Sequence, residues 1–210
     1  MLNTLDLAAH GPVIPVIVLH DVAHAVPMAR ALVAGGVRVL EVTLRTRAGL
    51  AAIEAIARQV PEAVVGAGTI RNAADARAAL SAGSVFGVSP GYTAALGAAC
   101  REIGLPLLPG VASAGEVMAA LEDGLQFLKF FPALAAGGVS MLKALAGPFA
   151  EVAFCPTGGI TPDNAAQFLA LPNVRVCGGS WLTPPDALAA GDWSRITAMA
   201  RATALLRPAN

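Results

Sequence analysis

The hexapeptide Phe127-Leu128-Lys129-Phe130-Phe131-Pro132 sets a primary amine inside an apolar, aromatic run. The chain otherwise carries its positive charge on arginine: Lys129 and Lys143 are its only lysines, against twelve arginines. Apolar surroundings disfavour an ammonium relative to a free amine. A free amine can attack a ketone where a guanidinium cannot, and Schiff-base lysines are made in such settings. A strand-end lysine that carries its head out to water is the competing reading. A second constellation is Glu41-Val42-Thr43-Leu44-Arg45. In an extended strand, alternation puts Glu41, Thr43 and Arg45 on one face. Burying three polar groups together is costly unless they pair with each other or with a ligand. A Glu41–Arg45 structural ion pair is the plain alternative. Gly66-Ala67-Gly68-Thr69 permits close approach to the backbone and adds one hydroxyl, although a tight turn reads equally well. Ser89-Pro90-Gly91 is a turn whose proline could wall a pocket.

Two glycine pairs complete the set, in Cys155-Pro156-Thr157-Gly158-Gly159-Ile160 and in Cys177-Gly178-Gly179-Ser180. Bare N–H groups at a helix N-terminus bind a dianion without needing a lysine. Ser180 could add a hydroxyl.

These groups need elements to hold them. Short β-rich runs alternate with Ala-rich helical stretches. Strands are predicted over Val13–Leu19, Val37–Thr43, Ala63–Ala67, Ser84–Val88, Leu105–Leu108, Gln126–Phe130, Val152–Cys155 and Val174–Cys177. Helices are predicted over Val22–Ala34, Leu50–Gln59, Ala73–Ala82, Thr93–Ile103, Ala114–Glu122, Val139–Ala146 and Pro162–Leu169. Asp21, Asn72, Ser113 and Thr161-Pro162 are good starts; Gly35-Gly36, Gly83, Gly104 and Gly124 are good stops. A last helix is expected over Asp192–Leu206, capped by Asp192 or Ser194, and a short one over the first ten residues, covering the barrel base. Eight strands alternating with helices argue for parallel pairing with right-handed crossovers. A doubly wound open sheet should show a glycine fingerprint after its first strand, and Leu19-His20-Asp21 is not one. The pattern predicts an α/β fold, a (β/α)8 TIM barrel, as one domain over residues 1–210. The chemistry-bearing residues then fall at the C-terminal ends of successive strands, where such barrels carry their sites.

Composition narrows the function classes. Charged residues are 13% of the 210 and apolar residues 56%; the usual charged share is about 25%. The apolar excess points to surface covered by other subunits. No apolar run approaches the ~18 residues that span a bilayer. Met1–His10 lacks the basic start and apolar stretch of a signal peptide. Formal charge is zero, with no basic patch for nucleic acid. Cys100, Cys155 and Cys177 are widely spaced and His10, His20 and His24 lie far from them, so no metal spacing is present. Buried cytosolic thiols are the expected state.

Taken together, Glu41-Val-Thr-Leu-Arg45, Gly66-Ala-Gly-Thr69, Ser89-Pro-Gly91, Leu128-Lys-Phe-Phe-Pro-Ala133, Pro156-Thr-Gly-Gly-Ile160 and Gly178-Gly-Ser-Trp181 resemble the 2-keto-3-deoxy-6-phosphogluconate (KDPG) aldolases. The resemblance runs from about Val13 onward and keeps the motif order. It implies a cytoplasmic, homotrimeric (β/α)8 barrel that uses a Schiff-base lysine, no metal and no cofactor. The implied reaction cleaves KDPG to pyruvate and glyceraldehyde 3-phosphate, with 4-hydroxy-2-oxoglutarate as a further substrate of many members. By resemblance, Lys129 is the Schiff-base lysine and Glu41 the general acid/base. Arg45 and Thr69 bind the substrate carboxylate, and Pro90, Phe131 and Thr157 line the pocket. Gly158, Gly159, Gly179 and Ser180 hold the phosphate. One position departs: the family commonly has an acidic residue after Phe-Pro-Ala, and this chain has Leu134. The expected effect is on the surface or a subunit contact. Sister phosphogalactonate aldolases share the barrel and lysine but differ in the second- and fourth-strand motifs. A phosphate-binding barrel isomerase or thiamin-phosphate-type synthase would explain the glycine loops but leave Lys129 idle, and a non-catalytic barrel would need no Glu41–Lys129 pairing.

Overall fold

Each β-rich run pairs in parallel with its neighbour in the chain. β1 (Val13–Ile17) pairs with β2 (Val39–Thr43), β2 with β3 (Val64–Gly68), β3 with β4 (Gly87–Val88), and β4 with β5 (Leu107–Leu108). β6 (Gly110–Val111) pairs with β7 (Phe127–Phe130), and β7 with β8 (Ala153–Pro156). β9 (Cys177–Gly179) returns to pair with β1. The structure, a computed structural model, describes residues 4–206. Two sheets result, of six and three strands. They join at both seams. β5 and β6 follow one another, interrupted at Pro109, which has no N–H for the ladder; the predicted strand Leu105–Leu108 covers only β5. On the other side, bridges Phe154–Val174 and Thr157–Gly178 link β8 to the β9 segment. The circuit closes into the expected (β/α)8 barrel.

Period-two alternation sorts the strand residues. Leu7, Ile14, Val39, Phe86, Leu108, Phe127 and Cys155 form one buried cluster inside the barrel. Ile17, Leu40, Val42, Leu128, Phe130 and Phe154 belong to the larger cluster that faces the helices. Those helices are α1 (Ala25–Ala34), α2 (Gly49–Gln59), α3 (Ala73–Ser81), α4 (Ala94–Glu102), α5 (Ala114–Glu122), α6 (Gly138–Ala146), α7 (Pro162–Leu169), α8 (Pro185–Ala190) and α9 (Trp193–Ala204). Side-chain oxygens satisfy orphan N–H groups at their starts. Asn72 accepts from Asp75 N at 2.9 Å, Ser113 from Glu116 N at 3.4 Å and Asp192 from Arg195 N at 3.0 Å. Asp21 instead caps a 3-10 turn, Val22–His24, that leads into α1.

Three differences from the sequence reading matter. The eighth strand is not Val174–Cys177: Val174 makes only an isolated bridge, and pairing with β1 runs through Gly178 and Gly179. Those glycines look like loop residues but are strand residues, bare because Thr157 and Trp181 occupy the space a side chain would need. Second, α8 was not expected; it is six residues long and opens on Pro184-Pro185. Third, the predicted N-terminal helix lies partly outside the described residues; Thr4–His10 is a 3-10 helix whose Leu7 enters the inner cluster. Among the described residues no helix is long and apolar enough to cross a membrane.

Candidate active site

Parallel register brings the two chemical constellations together. Glu41 lies opposite Gly66 across the β2–β3 seam, and Lys129 lies opposite Gly110 and Cys155. Both side chains point into the barrel near its carboxyl end. Lys129 Nζ stands 3.2 Å from Glu41 Oε1. Glu41 is 2% exposed and Lys129 3%. Neither head reaches bulk water, so the snorkelling lysine is excluded. A buried pair of this kind costs several kcal/mol of desolvation per ion unless its geometry is good. The ring of half-buried Phe131 lies beside the amine, its centroid 5.3 Å from Nζ, a cation–π distance.

The glycines of β3 clear the room for this pair. A Cβ on Gly68 would stand 2.3 Å from Glu41 Oε1, and one on Gly66 about 2.4 Å from the ring of Phe86. The expected role of these glycines, letting a ligand approach the backbone, is therefore corrected. Their space is filled by the Glu41 carboxylate and by the barrel floor.

Arg45 also departs from expectation. Glu41 and Thr43 are buried, and Thr43 Oγ1 donates to Ile17 O at 2.9 Å. β2 ends at Thr43, so the alternation lapses and Arg45 is exposed. Glu41–Arg45 is not an ion pair. Arg45 Nε instead donates to Thr69 Oγ1 at 3.2 Å. Its two terminal nitrogens make no hydrogen bond or ion pair among the described residues, which leaves a fork suited to a carboxylate. Thr69 has φ +63°, a left-handed backbone that β-branched residues rarely adopt. Such a conformation costs on the order of 1–3 kcal/mol and clusters at sites where surroundings impose it.

The remaining predicted residues ring the mouth. Exposed Pro90 presses its carbonyl on β6, where a Cβ on Gly110 would stand 2.3 Å from it. Thr157 is buried, and its hydroxyl donates to Cys155 O at 3.3 Å. Gly158 and Gly159 follow at φ +100° and +77°. Their N–H groups make no hydrogen bond among the described residues, and the α7 N-terminus follows them. Asn164 braces the turn, donating to Gly159 O at 3.0 Å and accepting from Thr161 N at 2.9 Å. Gly179 is buried under Trp181. Exposed Ser180 lines a cavity of about 330 Å³ with Val16, Val18, His20, Asp21 and Leu188. His20 and Asp21 at this lip escaped the sequence reading, which weighed them only as a ligand and a cap. Their position directly after β1 was the available signal. Lys143 is exposed on α6. Burial pushes the Cys155 thiol up to about 12, against the lowering effect of Lys129, and the Cys177 thiol higher still.

A closed parallel barrel with a buried lysine–carboxylate pair at the carboxyl ends of its strands is an arrangement suited to the class of lyases that work through a lysine imine. Comparison with known proteins fixes the family. The family model "KDPG and KHG aldolase" matches residues 6–199. The chain is 53% identical to the 2-dehydro-3-deoxy-phosphogluconate aldolase of Pseudoalteromonas atlantica, over 95% of this chain and 93% of that one. It is 56% identical to the KHG/KDPG aldolase of Escherichia coli K12, over 91% and 90%. The solved KDPG aldolase of Legionella pneumophila, with pyruvate captured at low pH as a covalent carbinolamine intermediate, superposes with a TM-score of 0.95 at 45% identity, covering 97% of this chain and 98% of that one. The chain belongs to the KDPG and KHG aldolase family.

Proposed function

We propose that this chain cleaves KDPG to pyruvate and glyceraldehyde 3-phosphate, and 4-hydroxy-2-oxoglutarate to pyruvate and glyoxylate, through an imine on Lys129. The observation that carries the assignment of roles is the buried 3.2 Å contact between Lys129 Nζ and Glu41 Oε1. Glu41 takes a proton from the lysine, and the free amine attacks the C2 ketone. Glu41 returns that proton to the carbinolamine hydroxyl, which leaves as water; this gives an iminium, an electron sink, and frees the carboxylate again. Glu41 then takes the C4 hydroxyl proton as the C3–C4 bond breaks. The bonding pair moves into the iminium, the aldehyde leaves, and an enamine of pyruvate remains. Glu41 returns its proton to C3, and water hydrolyses the imine to free pyruvate and lysine. One carboxyl group thus alternates between base and acid.

The substrate carboxylate sits on the Arg45 fork and the Thr69 hydroxyl, while Pro90, Phe131 and Thr157 wall the chain of the sugar acid. The phosphate lies across the mouth on the Gly158 and Gly159 N–H groups, with Gly179 and Ser180 on its far side. The unpartnered N–H groups and the following helix dipole favour a dianion there. The exposed apolar side chains Leu80, Val85 and Met118 offer surface for the subunit contacts of the proposed homotrimer; the proposed setting is the cytoplasm, and the proposed chemistry needs no metal or cofactor. Turnover tests the reading: pyruvate release from both substrates, unaffected by a chelator, is expected. No release from either, or release only after a divalent ion is added, would overturn it.

A further inference from the structure

We infer that Leu134 is a specificity-determining residue, an uncharged wall that biases the mouth toward a doubly charged substrate head; this rests on the aldolase reading above. The segment after Lys129 is zipped onto the loop after β8. Ala133 N donates to Thr157 O at 2.7 Å, and Leu134 N to Gly158 O at 3.1 Å. That pairing lays the Leu134 side chain against the glycine turn. A Cβ on Gly159 would stand 2.6 Å from Leu134 Cδ1 and 2.8 Å from Cγ. Leu134 is nevertheless 51% exposed, so it belongs to the rim.

The turn therefore has two surfaces. Its free Gly158 and Gly159 N–H groups are one, and the hydrocarbon of Leu134 is the other. An anion bound at the first surface meets only hydrocarbon, and no charge, at the second. No negative charge at position 134 opposes that anion. Coulomb repulsion scales with the product of charges, so a carboxylate at this position would penalise a phosphate dianion about twice as much as a single carboxylate at equal distance. A direct effect on substrate choice is thus added to the expected surface or subunit effect.

The test compares Leu134→Glu with Leu134→Gln, which share a shape and differ in charge. Measured quantities are KM for KDPG and for 4-hydroxy-2-oxoglutarate, and Ki for inorganic phosphate. Leu134→Glu should raise KM for KDPG and Ki for phosphate in parallel, by roughly tenfold, and KM for 4-hydroxy-2-oxoglutarate by less than about threefold. The penalty should shrink between about 0.05 M and about 0.5 M salt, because an exposed charge is screened. Leu134→Gln should stay within about threefold of the parent on every measure. An unchanged phosphate Ki in Leu134→Glu, equal losses on both substrates, or equal losses in the two variants would overturn the inference. Failure of the parent protein to cleave KDPG would sink the aldolase reading itself, whereas normal parent turnover with any of those three results sinks only the role of Leu134.

Discussion

A buried lysine needs a partner that holds its charge and then takes its proton, and Glu41 at 3.2 Å from Lys129 is placed for both. Replacing Glu41 with Gln keeps the volume and removes the base. We expect kcat to fall on the order of 10²-fold or more while pyruvate still forms some adduct, a combination read by single-turnover kinetics. Near-parental turnover would make Glu41 a mere structural partner. The thiols give a pH prediction. Cys155 is raised from an ordinary 9.0 to about 12 by burial. The folded chain therefore holds a proton that the unfolded chain releases near pH 9. Sign follows from linkage: this contribution to stability is complete below pH 9 and is lost as pH rises toward about 12. Native protein at pH 8 should resist alkylation at Cys100, Cys155 and Cys177, all of them buried, and label only on unfolding. Mass spectrometry of intact protein reads this directly. At this scale the sequence showed Lys129 and Glu41 plainly, because a charged residue in an apolar run is visible without coordinates. Arg45 was misplaced because alternation holds only while the chain remains in the sheet, and β2 ends at Thr43.

Among elements, β3 makes the sharpest contrast, since its two glycines clear space for different neighbours. A methyl on Gly68 would meet the Glu41 carboxylate, the mobile end of a side chain, at 2.3 Å. Gly68→Ala should therefore fold but push Glu41 off Lys129, costing on the order of 10²-fold in kcat. A methyl on Gly66 would meet the Phe86 ring, a closed part of the core, at 2.4 Å. Gly66→Ala should instead lose about 1–3 kcal/mol of stability by overpacking and keep more of its activity. Thermal melts beside turnover rates separate the two; the reverse pattern would mean that Glu41 is not held by β3. Strand and helix order were readable because each element is amphipathic at its own period. The β9 glycines were not, since the reason for a bare strand residue lies in Thr157 and Trp181 across a seam. Nor was α8, six residues behind two prolines, too short to show a period.

The whole molecule is a device for bringing positions 41 and 129, 88 residues apart in sequence, within one hydrogen bond. Closure at Pro109 on one seam and at the Phe154–Val174 and Thr157–Gly178 bridges on the other fixes that approach. The same closure brings Leu134 onto Gly159, a contact that no linear pattern shows. The barrel also sorts the two lysines, one inside at 3% exposure and one out on α6. That difference permits the most direct test of the account. Incubation with pyruvate followed by borohydride reduces any imine to a stable secondary amine, which peptide mapping can locate. The account predicts a single carboxyethyl adduct on Lys129, absent in Lys129→Arg and unaffected by Lys143→Arg. An adduct on Lys143, or none at all on active protein, would contradict it.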